Sequence, residues 1–174
     1  MLGTSTDGPA PIKISSSSDG LAWFPNDTAI LSNDTYNTGP TPTLVSGGRL
    51  YRAMEKFSAP FRWGKDYKAM CVHASVSADL LDPASWMVTK SLPLDPTWFP
   101  FPMSNPGYLE GNMVEGTHGE IYNILRLNSM PAIGNKAVRL KLDNSTNSFK
   151  FDKVLDLPGG HTKFVIHRDV VTGW

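Results

Sequence analysis

Gly107 to Asn128 reads GYLEGNMVEGTHGEIYNILRLN. Apolar and polar residues alternate along it, the chain turns at Thr117-His118-Gly119, and the alternation then resumes. Period-two alternation on both sides of a glycine-bearing turn predicts two antiparallel strands joined by a tight hairpin. Glu110, followed by Gly111 and Asn112, is expected where the first strand begins, one acidic residue among apolar neighbours. The same cassette occurs earlier as TLVSGGRLYRAME, Thr43 to Glu55. Aligning Gly48 with Gly119 also pairs Leu50 with Ile121 and Tyr51 with Tyr122.

The rest of the chain arranges itself around this repeat. Pro11 to Phe24 is expected to be a strand, a Ser-Asp-Gly turn and a short strand ending on Trp23, with Asp19 accepting from turn amides and the aromatic packed beneath. Asn26 to Pro42, rich in Asn, Asp, Thr and Pro, reads as a loop. Lys68 to Ser75 and a strand from Trp86 complete one four-stranded unit. Leu92 to Pro106 is a loop broken by prolines, carrying Trp98, Phe99 and Phe101; an earlier loop carries Trp63. After the opening hairpin, Lys136 to Leu142 and Phe149 to Leu155 complete a second unit, and Pro158-Gly159-Gly160 opens a strand at Thr162 to Arg168.

Trp23, Trp86 and Phe149 fall about one unit apart, each at the expected start of a fourth strand. Repetition of short four-stranded antiparallel units is the mark of a β-propeller; an irregular β-sandwich is the alternative. The division is a blade end at 11–24, blades at 41–90 and 108–155, and the start of another at 158–174, together one partial domain over 1–174. Since fewer than four blades do not close, the expectation is all-β, an incomplete set of about two to three blades.

Composition narrows the partners. Sixteen basic residues balance sixteen acidic ones, Lys+Arg 16 against Asp+Glu 16, so nothing electrostatic points to nucleic acid or an anionic membrane. No apolar run approaches the roughly 20 residues of a membrane-crossing helix. Cys71 is alone, so no intrachain disulfide forms. No signal peptide is visible, and Asn26, Asn33 and Asn144 open glycosylation sequons that matter only to a secreted chain, which leaves the compartment open. No metal-ligand spacing, P-loop, dinucleotide fingerprint or nucleophile elbow occurs, and no cofactor is expected.

Several stretches resemble the sialidase-like propeller superfamily. Ser17-Ser18-Asp19-Gly20-Leu21-Ala22-Trp23 is similar to the Asp-box of bacterial-neuraminidase repeats, one residue short of its usual length. Gly48 to Glu55, Ala78 to Trp86, Leu109 to Asn112 and Pro158 to Phe164 resemble the same proteins, and the likeness covers most of 11–174. The resemblance implies a propeller, six-bladed when complete, with a central site that cleaves a terminal sugar from a glycan. It also implies three arginines on a substrate carboxylate, a tyrosine–glutamate nucleophile and an aspartate acid/base. That full set is not found here, although Arg52 and Arg126 are candidates for the arginine group.

Glu110 is the leading catalytic candidate, because a carboxylate followed by glycine lets backbone and ligand approach closely and suits acid/base work or sugar binding. His161 is the second, as a proton carrier. Lys163, Asn112, Arg52, Arg126 and Glu55 are the candidate substrate-binding residues. Strand alternation puts Arg52 and Glu55 on opposite faces, one of them in an ion pair with a neighbouring blade. His73 is expected in the core or at the rim, and His118 in solvent. The competing class is a non-catalytic propeller that binds a glycan or a protein.

Overall fold

The computed structural model describes residues 2–3, 10–23, 28–58, 60–130, 134–169 and 171–173. The strands are β1 (Leu2–Gly3), β2 (Ala10–Ile14), β3 (Thr28–Asn37), β4 (Leu44–Ser46), β5 (Arg49–Phe57), β6 (Lys68–Ser75), β7 (Met87–Val88), β8 (Leu92–Pro93), β9 (Ser104–Glu115), β10 (Ile121–Met130), β11 (Lys136–Asp143) and β12 (Ser148–Asp156). Among the described residues the only helices are two short 3-10 turns, Pro83–Ser85 and Pro96–Trp98, each begun by an Asp-Pro pair whose aspartate accepts a turn amide.

β12, β11, β10 and β9 form one antiparallel sheet in that order. The other sheet runs β1-β2-β3-β5-β6-β7, with β4 also on β5 and β8 also on β6. Tyr51, Ala53, Ala69 and Cys71 of this sheet meet Tyr108, Met113, Leu125 and Leu140 of the first in one core cluster. On the opposite face of β5 and β6, Met54, Met70 and Val72 pack with Ile12, Ile14 and Ile30 of the β2–β3 hairpin. The middle layer is therefore covered on both sides, which is why β5 and β6 are buried nearly end to end rather than alternately. Each fully buried Leu, Val or Met here contributes about 1.5–3 kcal/mol by leaving water.

The structure corrects the sequence reading in four places. Thr28–Asn37, expected to be a loop, is a strand; its last residues pair Thr35, Tyr36 and Asn37 with Phe57, Lys56 and Glu55, and burial of Ile30 and Tyr36 outweighs the loop-forming composition. The inner strand of the middle sheet is thus split between the end of β3 and β4, with Thr38 to Thr43 looping out between them. Trp23 lies in no strand and is 43% exposed, so it neither starts a fourth strand nor packs beneath the turn. The turn itself forms as expected, Asp19 accepting from the Leu21 and Ala22 amides at 2.8 Å. Lys163 to Asp169 forms no strand ladder and is held by side chains instead. Finally, Glu110 lies in the middle of β9, because that strand begins at Ser104 despite its prolines. Phe24, the start of the Asn26 sequon and Trp174 lie outside the described residues.

Candidate functional site

The β9–β10 ladder slips at one point. Asn112 pairs with Ile124 and Leu109 with Arg126, so Glu110 and Gly111 together oppose Leu125. This is a β-bulge, and it turns Glu110 to φ +57, a left-handed backbone that glutamate rarely adopts. Such a conformation costs about 1–3 kcal/mol and persists only where surroundings enforce it.

Three contacts enforce it. Beneath the bulge, Glu55 of β5 accepts the Gly111 amide on Oε1 at 3.3 Å and the Asn37 Nδ2 amide on Oε2 at 2.7 Å. Glu55 is 0% exposed, and burial pushes its carboxyl up to about 7 against the pull of the Asn37 and backbone hydrogen bonds. Above, Gly39 lies so close that a Cβ there would sit 2.9 Å from the Glu110 Cβ. Its carbonyl is fixed by Arg52 Nη2 at 2.7 Å. To the side, a Cβ on Gly111 would meet Asn123 Oδ1 at 2.1 Å, so only glycine fits.

The Glu110 carboxylate then reaches two cations. Arg126 Nη1 is 2.6 Å from Oε2 and Lys163 Nζ is 3.2 Å from Oε1. Arg126 is aimed by its Nε donating to the His161 carbonyl at 2.9 Å, and its guanidinium lies 5.5 Å from the Trp63 ring centre. Lys163 is placed by Asn112, whose Nδ2 donates to the Phe164 carbonyl at 3.3 Å and whose Oδ1 accepts the Ile166 amide at 3.0 Å. Beside this triad is a cavity of about 130 Å³ lined by Pro40, Thr41, Glu110, Lys163, Phe164 and Val165. Thr41 Oγ1 is buried there with no hydrogen-bond partner among the described residues.

The structure thus brings Glu110, Lys163 and Arg126 into contact and uses Asn112 as their anchor. Glu55 lies directly underneath, with no surface of its own. Arg52 and Glu55 do sit on opposite faces, but among the described residues neither forms the expected ion pair; hydrogen bonds to Gly39, Asn37 and Gly111 take its place. His161 Nδ1 is bonded to the Leu127 carbonyl at 3.0 Å, and Gly160 accepts the Leu127 amide, so this histidine fastens its segment to β10 and does not line the cavity. His73 is buried, as expected. Glu120 and Asp152 are elsewhere, on Lys141 and Arg139. Of the loop aromatics, Trp98 stacks on Phe151 at 4.5 Å and Phe99 is buried. Sequence reading missed Thr41 and Asn37, because the loop and strand that carry them were not separable by pattern. Among the described residues no cluster of His, Cys, Asp and Glu could hold a metal ion, and no helix is long and apolar enough to cross a membrane.

No protein-family model and no curated protein matches the chain. Among solved structures it is similar to an α-L-arabinofuranosidase from Lactobacillus brevis, with a TM-score of 0.58 and 13% identity over 91% of this chain and 52% of that one. A sialidase from Trypanosoma rangeli aligns at a TM-score of 0.47 and 18% identity, over 86% of this chain and 26% of that one. An inulosucrase from Halalkalicoccus jeotgali bound to kestose aligns at 0.41 and 14%, over 84% and 43%. The fold is therefore a β-propeller one, all-β and built of antiparallel blade sheets, shared with the arabinofuranosidase structure. The chain spans about half the length of the arabinofuranosidase it matches.

Proposed function

We propose that Glu110, Lys163 and Thr41 form part of a site that binds the terminal sugar of a glycan and cleaves its glycosidic bond, in the manner expected of a sialidase-like hydrolase. The observation that carries this reading is the strained, ion-paired Glu110 opening on a cavity with an unpartnered hydroxyl. A fold holds a glutamate in left-handed backbone, against a cost, where the placement of its carboxylate matters. One carboxylate between two cations leaves a surplus positive charge, and Lys163, with a side chain 65% exposed, can turn it toward a substrate carboxylate or hydroxyl. Glu110 would face the anomeric carbon, as nucleophile or as the counter-charge to an oxocarbenium-like transition state. The Thr41 hydroxyl would orient a sugar hydroxyl.

One observation favours the binding-module reading instead: both Glu110 oxygens are already engaged by cations. Substitution of Thr41 by valine tests the sugar contact. Replacing a buried, unpartnered hydroxyl by a methyl of similar size leaves stability unchanged or raised. If the cavity holds sugar, KM or Kd for a responsive methylumbelliferyl glycoside rises severalfold in Thr41→Val; unchanged affinity would remove Thr41 from the site.

A further inference from the structure

A second cavity, of about 430 Å³, opens between the two sheets at the turn end of the inner hairpins. Gly47 of the β4–β5 turn, Gly119 of the β9–β10 turn, and Asn144 and Asn147 of the β11–β12 turn form its rim, and Arg49 and His73 its wall. Arg49 and Glu55 stand six residues apart on β5, roughly 20 Å of strand, so this cavity is remote from Glu110.

Its polar groups form a chain with one direction. Arg49 Nη2 donates to His73 Nδ1 at 2.7 Å, which puts the ring proton on Nε2. That nitrogen donates to Asn147 Oδ1 at 3.0 Å, and Asn147 Nδ2 donates to the Val88 carbonyl at 2.9 Å. Burial first, and then the Arg49 charge, hold the His73 pKa below its ordinary value. The arginine is thereby oriented by a neutral acceptor. Arg62, Arg126 and Arg139 are each paired with a carboxylate, whereas Arg49, like the more buried Arg52, has none among the described residues. The guanidinium also meets the Met87 sulfur at 3.4 Å and hydrogen-bonds the Tyr51 hydroxyl. Glu115, exposed on β9, acts on Tyr51 but forms no ion pair with Arg49.

We propose that this cavity is a second ligand site, for the carboxylate of an acidic sugar. A guanidinium held in direction through Nη2, with no carboxylate in ion-pair contact among the described residues, is suited to donate from its remaining N–H groups to a ligand carboxylate. Asn144 and Ser46 at the rim offer hydrogen bonds to ring hydroxyls, and the volume is in the range of small-ligand pockets, roughly 300–1,000 Å³. The site does not depend on the reading given to Glu110.

The test is titration of the protein with glucuronate, followed through the His73 ring and the Asn144 and Asn147 side-chain amides by NMR. Saturable shifts at these groups are expected with glucuronate, and none with glucose, acetate or inorganic phosphate at the same concentration. Arg49→Gln is expected to weaken the shifts about tenfold or more, and Glu110→Gln to leave them unchanged. If Arg49→Gln does not fold, Arg49→Lys keeps the charge and loses the fixed, planar guanidinium, and a severalfold weaker Kd is expected. Absence of shifts in the wild type, equal response to acetate or phosphate, or unchanged affinity in the arginine variants would overturn the proposal.

Discussion

Glu55, closed off from solvent, accepts the backbone amide of Gly111 at 3.3 Å, and so braces the bulge on which Glu110 is turned. A buried acid thereby supports a second acid whose side chain meets two cations. The two carboxyl groups sit on facing strands of the two sheets, β5 and β9, in opposite surroundings: one sealed from water, the other between two cations.

The pH dependence of stability reports on Glu55. Its folded pKa, about 7, lies above the ordinary 4.5, so the folded state holds the proton more tightly than the unfolded one. The stabilisation is complete below pH 4.5 and is lost as pH rises through 7. The loss amounts to about 3 kcal/mol. Denaturant titrations across this window are expected to show the decline in the wild type and a flatter profile in Glu55→Gln. Equal slopes in the two would mean that Glu55 titrates normally.

Removal of Arg126 should be costly. The side chains of Arg126 and Glu110 are only 14% and 7% exposed, and breaking a buried pair from one side costs about 3–5 kcal/mol. Lys163 remains on Glu110 and softens the loss, so Arg126→Gln is expected near the lower figure. A melting temperature within a degree or two of the wild type would show that the pair contributes little.

Gly111→Ala is expected to destabilise by more than about 2 kcal/mol, because its methyl would overlap the Asn123 amide. Asn123 is fully buried, with neither amide atom partnered among the described residues. Cutting it to alanine makes room while discarding a polar group that gains nothing. The double variant Gly111→Ala/Asn123→Ala is therefore expected to recover at least half of the loss; additive losses would place the strain elsewhere.

What could be read from sequence and what could not have separate physical causes. The inner hairpin was legible because period-two alternation and a glycine turn survive any tertiary context. Glu110 and Lys163 were legible as charges in apolar or glycine-rich settings. The bulge was not, since nothing local distinguishes a regular strand from one whose register slips by a residue. Glu55 looked like a strand-end acid, because the hairpin that covers its neighbourhood comes from Thr28–Asn37, whose Asn, Asp and Thr content imitates a loop. Trp23 misled for the converse reason: an aromatic at the right spacing carries no guarantee of a sheet to pack on.

In the proposed reaction the Glu110 carboxylate acts on a bound sugar. The most direct test of this role is turnover of a methylumbelliferyl glycoside by the wild type and Glu110→Gln, normalised to the folded fraction of each. Loss of about 10²–10⁴-fold in kcat is expected, while the variant stays folded at assay temperature. A variant that melts far lower yet turns over normally per folded molecule would contradict the claim and make Glu110 a structural brace.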